Sequence, residues 1–176
     1  MNTQRAFTLV ETLVAITVLM IAIAGPLTIA SKSLKSALYA RDQIVANYLA
    51  QDALEVVKNI RDNGYLEDSA VWLPLSLNGC KNSVCKIDTA SDSPSISSAN
   101  GAESSDPARL YLTPEGKFTH NGAAANTRTM FSRTMEFTKA STNDNEYSVK
   151  IRVYWDGPGG VVSEEVLYGS IYNAIR

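Results

Sequence analysis

The sequence predicts an α+β fold in which one long N-terminal α-helix packs on an antiparallel β-sheet. Three observations predict it. An apolar run from Phe7 to Ala30 lies near the start of the chain. A polar stretch with a helical rhythm follows, up to about residue 62. Segments in which apolar and polar residues alternate then dominate the last third of the chain, which is typical of strands with one buried face.

The apolar run has the length of a membrane-spanning helix. It holds about 24 residues, and a helix of that length extends over roughly 36 Å, enough to cross a hydrocarbon core of about 30 Å. Because proline removes one helix hydrogen bond and clashes with the preceding turn, Gly25 and Pro26 predict a kink or a locally melted turn. Residues 7–30 are therefore predicted to be a transmembrane segment, and the bilayer is an expected partner.

The residues in front of this run do not form an ordinary secretory signal, in which the cleavage site follows the apolar stretch. Here the small residue Ala6 precedes the stretch, directly after Arg5. A cut after Ala6 would remove only residues 1–6 and leave the apolar segment on the mature protein. Lys32 and Lys35 at the other end nearly balance Arg5, so the positive-inside rule alone does not orient the segment.

Glu11 is the one charged residue between Phe7 and Ala30. A carboxylate inside a bilayer costs on the order of 3 kcal/mol and is usually paired or functional. Arg5 is the nearest cation in the chain. After a cut behind Ala6, the new α-amine of Phe7 in a neighbouring copy becomes a second candidate. A third interpretation places Glu11 in the headgroup region with no role.

The stretch "RAFTLVETLVA" resembles the cleavage and methylation motif of type IV pilins and of the pseudopilins of type II secretion. The resemblance implies that prepilin peptidase cuts between Ala6 and Phe7, that the Phe7 amine is methylated, and that Glu11 acts in assembly. The family usually has glycine where this chain has Ala6, and we expect cleavage to be retained. The fold that the resemblance implies is the pilin fold, a long helix on an antiparallel sheet.

Residues 31–62 are predicted to be the amphipathic half of the same helix. Its apolar positions recur every three, four or seven residues and form one face: Leu34, Leu38, Val45, Leu49, Ala53, Val56 and Ile60. Asn63 and Gly64 form a C-terminal stop signal. The stretch "ANYLAQDALEVVKNIRD" and the later "SVKIRVYW" are similar to minor pilins and minor pseudopilins.

Residues 63–176 are predicted to form a globular β-domain. Its early part holds "AVWLPLSL", which is a short strand or an apolar loop, and then the pair Cys80 and Cys85. A pair so close together can close a disulfide loop if the domain lies outside the cytoplasm, and the alternative is a pair of free thiols. The predicted disulfide favours the N-inside, C-outside orientation. The stretch at about 88–108 is rich in serine, alanine and aspartate and is predicted to be an exposed loop; a disordered linker has the same composition and is the alternative.

The remaining segments predict strands. A hairpin is expected from "RLYLT" to "KFTH" around a turn at residues 114–116. In "TRTMFSRTMEFTKA", Phe131, Met135 and Phe137 share one face, which Arg133 interrupts. The next segment alternates cleanly, and its apolar face comprises Tyr147, Val149, Ile151, Val153 and Trp155. A turn in "DGPGG" leads to the last strand, "VVSEEVLYGSIYNAI". The apolar face of the helix is expected to cover this sheet.

Motifs for catalysis or for cofactors are absent from the sequence. The single histidine, His120, is predicted to be a surface residue rather than a base. A zinc site lacks ligands, because His120 and the two cysteines are the only soft donors. The turn "TNDNEYS" offers Asp144 and Glu146 as a weak calcium site without EF-hand spacing. Neither an enzyme activity nor a cofactor is therefore expected.

The charge balance argues against a nucleic-acid surface. The formal net charge is −2, and residues from Asn63 onward carry 10 Lys and Arg against 13 Asp and Glu without a basic run. The leading prediction is a minor pilin in the initiation or tip complex of a type IV pilus. The alternatives are a minor pseudopilin of type II secretion, and a DNA-uptake or adhesion pilin whose head binds a ligand.

The resemblance also implies partners and a location. The expected partners are other pilin or pseudopilin subunits, prepilin peptidase and the assembly platform of the inner membrane. The expected location is the inner membrane, with a single pass and the C-terminal domain outside the cytoplasm. From there the subunit is expected to enter a cell-surface or periplasmic filament.

Overall fold

A computed structural model describes residues 8–67, 72–91, 94–99, 108–140, 145–157 and 160–173. Helix α1 spans Leu9–Glu67 and is followed by a short helix α2 at Leu75–Asn78. Seven strands follow in the described chain: β1 Val84–Asp88, β2 Ser95–Ser98, β3 Arg109–Leu112, β4 Phe118–Thr119, β5 Thr127–Lys139, β6 Glu146–Asp156 and β7 Val162–Tyr172. The predicted α+β architecture, a long helix and then an antiparallel sheet, is confirmed.

The chain divides into two compact units, Met1–Arg41 and Asp42–Arg176. The described part of the first unit is helical from Leu9 onward. The second unit holds the rest of α1, helix α2 and the sheet, and we call it the head.

The strands of the head form one sheet in which every ladder is antiparallel. Strand β5 lies at its centre, because it pairs with β6 along one side and with both β3 and β1 along the other. Strand β6 pairs with β7, and β2 and β4 extend the opposite side. The predicted hairpin is β3–β4, with Gly116 at φ 82°, a conformation that glycine adopts without strain.

Helix α1 supplies the cover that the sheet requires. Its buried residues are Asp42, Ala46, Leu49, Ala50, Ala53 and Val57. All of them except Asp42 pack in one core with the predicted apolar face of β6, whose members Val149, Ile151 and Val153 are fully buried. Small residues on the helix allow a close approach to the sheet. Leu34 and Leu38 were expected on this packed face, and that prediction is wrong: their exposures are 63% and 45%, because burial along the helix begins only at Asp42.

Two boundaries differ from the prediction at the end of α1. The helix passes the expected stop at Asn63 and Gly64 and ends at Glu67. Gly64 is needed for packing instead, since a side chain there would collide with the ring of Pro74. The segment after Pro74 is neither strand nor loop, because the Pro74 carbonyl accepts the amides of Leu77 and Asn78, both at 3.0 Å, and starts α2.

The predicted loop at 88–108 is wrong in part. Ser95–Ser98 form strand β2, which pairs with β1 from Cys85↔Ser98 to Asp88↔Ser95. Ala99 and Ala108 are both fully buried. Composition alone did not reveal β2, because its serines need only backbone pairing with β1 to form a strand.

The predicted disulfide is confirmed between Cys80, just after α2, and Cys85 in β1. Both cysteines are buried in the core, with exposures of 2% and 1%. The bond therefore ties the segment after α1 to the sheet.

Candidate functional site

The first described turn of α1 is capped by Thr8. Its carbonyl accepts the amides of Glu11 at 3.0 Å and Thr12 at 3.2 Å, and its hydroxyl also accepts the Glu11 amide at 3.3 Å. Glu11 thus lies in the first turn, where the helix dipole favours a negative charge. Its side chain is exposed in the single chain. The geometry leaves this carboxylate accessible to a partner outside the chain.

The helix surface that follows is exposed on all sides. Every described side chain from Thr8 to Arg41 is exposed. Large apolar side chains make up much of it, with exposures from 53% at Val14 to 79% at Leu9 across residues 9–29. Leaving one such side chain in water costs about 2 kcal/mol relative to burying it. A surface of this kind requires a bilayer or neighbouring helices to cover it.

The length and composition of α1 also indicate a segment that lipid or neighbouring helices cover. The helix contains an 18-residue window with a mean hydropathy of 2.4, none of it buried. That is long and apolar enough to cross a membrane. It runs without interruption through Gly25 and Pro26, so the turn is not melted there, and a kink stays a prediction.

The hydroxyl groups of this segment are satisfied inside the helix. The side chains of Thr12, Thr17 and Thr28 donate to the carbonyls of Leu9, Val14 and Gly25 at 2.7–2.8 Å. Ser31 donates to Leu27 at 2.9 Å. Such bonds allow polar side chains to enter lipid, since their donors need no water. We did not predict them, although serine and threonine at these helix positions are their sequence signal.

Ala6 and Phe7, the two residues of the predicted cleavage site, lie outside the described residues. Residues 1–25 match the family model described as the prokaryotic N-terminal methylation motif. The chain carries the type IV pilin and pseudopilin signature. No curated protein and no solved structure matches it. The signature and the apolar helix are consistent with membrane anchoring of this pilin-like chain, and they indicate a structural subunit that associates with other pilins and with prepilin peptidase.

The head of this pilin-like chain contains a polar cluster around the buried Arg133. It comprises Asp52 on α1, Asp88 and Thr89 at the end of β1, Thr119 and His120 at the end of β4, and Arg133 on β5. Arg133 is completely buried. Its Nη1 donates to the Leu49 carbonyl and the Asp52 carboxylate, both at 3.0 Å, and its Nη2 donates to the Ile87 carbonyl at 2.8 Å.

These bonds make Arg133 the connection between α1, β1 and β5. Thr89 extends it, because its hydroxyl accepts from Arg133 at 3.2 Å and donates to Asp52 at 2.7 Å. Burial lowers the pKa of Arg133, and the charges of Asp52 and Asp88 oppose that shift. The sequence showed that Arg133 interrupts an apolar face. It did not show why, since the partners are remote in the chain.

The prediction that His120 is a surface residue is wrong. Its imidazole is largely buried, and burial together with the charge of Arg133 lowers its pKa to about 4. Nδ1 lies 3.1 Å from the Arg109 carbonyl. A carbonyl only accepts, so Nδ1 carries the proton of the neutral ring. His120 is therefore a neutral packing residue near neutral pH.

Asp88 holds the segment around His120 in place. Its carboxylate accepts the Thr119 hydroxyl at 2.6 Å, the Ala90 amide at 3.0 Å and the His120 amide at 3.1 Å. Burial raises the pKa of Asp88, but these three hydrogen bonds outweigh burial and the pKa falls below its usual value. The carboxylate thus stays charged and joins β1 to the β3–β4 hairpin.

The calcium hypothesis keeps the status of a prediction. Asp144 lies outside the described residues, and Glu146 is the exposed first residue of β6. Among the described residues, no group of three or more His, Cys, Asp or Glu side chains is placed to hold a metal ion.

Proposed function

We propose that this protein is a minor pilin, a structural subunit anchored in the inner membrane and incorporated into the initiation or tip complex of a type IV pilus. One observation carries the proposal. The methylation motif at residues 1–25 includes the start of α1, and the large apolar side chains of residues 9–29 on that helix are exposed. The same α1 helix continues to Glu67 and provides the buried residues that cover the sheet of the head. One element thus serves both as an assembly segment and as part of the head core.

The exposed helix supports assembly through two successive environments. In the bilayer, lipid covers the apolar side chains of residues 9–29. In a filament, the helices of neighbouring subunits replace that lipid, and little apolar surface has to enter water. Glu11 then pairs with the α-amine of Phe7 in a neighbour, so that both burial penalties are offset.

A minor pseudopilin of type II secretion is the second candidate, because the matching signature is shared by pilins and pseudopilins. The neighbouring genes discriminate between the two. A retraction ATPase beside this gene indicates a pilus. A secretin together with secretion-platform genes indicates a secretion system.

The processing step provides the direct test. Protein purified from its native membrane is expected to lack Met1–Ala6 and to carry one methyl group on Phe7, as measured by intact mass and N-terminal peptide mass. Protein from cells without prepilin peptidase is the control and should retain the leader. Because glycine is the usual residue before the cut, Ala6→Gly should be cleaved at least as fast. An intact leader in cells with active peptidase would contradict the pilin assignment.

A further inference from the structure

The described part of the chain contains three pairs in which glycine follows asparagine: Asn63–Gly64, Asn78–Gly79 and Asn121–Gly122. A fourth pair, at residues 100–101, lies outside the described residues. In such a pair the asparagine loses its side-chain amide most readily, because glycine has no side chain to hinder attack by its own backbone nitrogen. The backbone around the three pairs differs, and that difference decides which of them reacts.

Two of the pairs are held by helices. Asn63 and Gly64 lie inside α1, where the Asn63 Nδ2 also donates to the Asn59 side chain at 2.7 Å. Asn78 is the last residue of α2, and the Gly79 amide donates to the Leu75 carbonyl at 3.1 Å. A helical backbone fixes the peptide that follows the asparagine and engages its N–H in a hydrogen bond. Both restraints oppose attack of that nitrogen on the side chain.

The third pair lies in the loop between β4 and β5, residues 120–126, and is free of these restraints. Asn121 and Gly122 are both exposed and belong to no helix or strand. Within the described structure the Gly122 amide donates no hydrogen bond, and neither does the Asn121 Nδ2. The Asn121 Oδ1 accepts the Ala123 amide at 3.1 Å. This Asx turn folds the side-chain amide back toward the Gly122 peptide and polarises its carbonyl.

We propose that Asn121 is a site of spontaneous deamidation. The Gly122 backbone nitrogen loses its proton to a base in solvent and forms a bond to the Asn121 Cγ. The bond from Cγ to Nδ2 breaks, and Nδ2 takes up a proton from solvent and leaves as ammonia. Water then opens the five-membered imide, at Cγ to give aspartate or at the backbone carbonyl carbon to give isoaspartate. In total one water is consumed and one ammonia is released.

Either product changes the loop at residues 120–126. The Asn121 amide donates to the Thr119 hydroxyl at 3.0 Å, and its carbonyl accepts the Asn126 Nδ2 at 2.8 Å. Gly122 packs so close to the ring of Tyr111 that a Cβ there would lie 3.1 Å from Cζ. Isoaspartate adds one carbon to the backbone between these contacts, so they cannot all be kept. Both products also place a negative charge beside His120.

The test follows the loss of amide at each pair in the folded protein. The full chain in detergent micelles is incubated at mildly alkaline pH, and mass spectrometry of its peptides locates each new acid. Asn121 should react at least about tenfold faster than Asn63 or Asn78, because those two must first break a backbone hydrogen bond. The rate at Asn121 should rise with pH, since the attacking nitrogen has to lose its proton.

The unfolded chain is the matched control. In urea, with the disulfide reduced, the three pairs should react at similar rates, because the backbone restraints are gone. Folding that slows Asn121 as much as the two helical pairs would overturn the proposal.

A substitution tests the effect on the loop. Asn121→Gln keeps an amide but needs a larger ring to react, so it should stay intact under the same conditions. Amide hydrogen exchange at residues 120–126 should become faster in the aged wild type and stay constant in Asn121→Gln. Unchanged exchange in fully deamidated wild type would contradict the effect on the loop. The reaction needs neither a membrane nor a partner, so its outcome is independent of the proposed function.

Discussion

Arg133 is buried and His120 is partly buried in one polar cluster, yet Arg133 is charged and His120 is neutral near neutral pH. Arg133 keeps its charge because the Asp52 carboxylate, two carbonyls and the Thr89 hydroxyl accept hydrogen bonds from its guanidinium. His120 stays neutral because burial and the nearby guanidinium both disfavour a second positive charge. The surroundings of the two side chains in the head thus fix their protonation states, charged for Arg133 and neutral for His120.

His120 should make the head less stable in mild acid. Its pKa is about 4 in the folded protein against an ordinary value of 6.5. Above pH 6.5 the imidazole is neutral in both states. As the pH falls from 6.5 to 4, the unfolded chain binds the proton and the folded chain does not. The free energy of unfolding should therefore decrease by roughly 3 kcal/mol over this range, as measured by urea unfolding.

His120→Gln removes the titrating group and should flatten the stability profile over that range. The neighbouring Asp88 and the exposed Glu115 both have lowered pKa values, so they lose their contributions at lower pH than His120. His120 is also the only histidine in the chain. A wild-type profile that stays level from pH 6.5 to 4.5 would show that the imidazole is not protected from protonation.

Arg133 on strand β5 connects the helix α1 to the sheet. Its Nη1 reaches both the carbonyl of Leu49 and the carboxylate of Asp52, one helical turn apart. Apolar contacts alone allow a helix to slide on a sheet. Bonds from a buried guanidinium fix the position of α1 along its axis.

Asp52→Ala should lower the free energy of unfolding of the head by about 2 kcal/mol, because the fully buried Arg133 loses a charged acceptor. Urea unfolding followed by circular dichroism gives the value. Asp62→Ala is the matched control, since Asp62 lies on the same helix and its side chain is 58% exposed. It should change stability by no more than about 0.5 kcal/mol. An equal decrease in the free energy of unfolding for the two variants would show that the Asp52–Arg133 contact has no special role in stability.

The whole molecule combines a packed head with a helix that is exposed from Thr8 to Arg41. A single chain in water cannot cover that surface. Under the proposed function, lipid covers this surface before assembly and neighbouring subunits cover it afterwards. Glu11 is exposed and does not belong to the packed core of the head, so under the proposed function its carboxylate is expected to act in assembly.

Glu11→Ala should abolish incorporation into filaments or into the minor-subunit complex. The substitution leaves the partner amine buried without its acid, which costs roughly 3–5 kcal/mol and reduces incorporation more than a hundredfold. Leader cleavage and the fold of the head should not change. Co-purification of the tagged variant with its partner subunits measures the effect.

Thr12→Ala is the matched control, because the Thr12 hydroxyl bonds only to the Leu9 carbonyl of its own helix in the described structure. It should assemble as the wild type does. Undiminished recovery of Glu11→Ala would place the carboxylate in the headgroup region instead. Undiminished recovery is also the result for a subunit at the filament tip, where no neighbour offers an amine. A crosslink from the start of the helix to its neighbours separates these two cases.

The sequence by itself determined the features that depend on residues close together in the chain. The apolar run, the motif around Glu11, the alternation in β6 and the Cys80–Cys85 pair are all local patterns, and backbone geometry converts each of them directly into structure.

Only the tertiary structure decided the features that depend on distant residues. The sequence placed Arg133 on an apolar face, but its acceptor Asp52 is 81 positions away. His120 is partly buried where it bonds to Asp88 and Arg109, and strand β2 exists because β1 pairs with it. Position 64 requires glycine because the ring of Pro74 packs against it. Each of these depends on which segments meet in space, and hydrophobic periodicity does not contain that information.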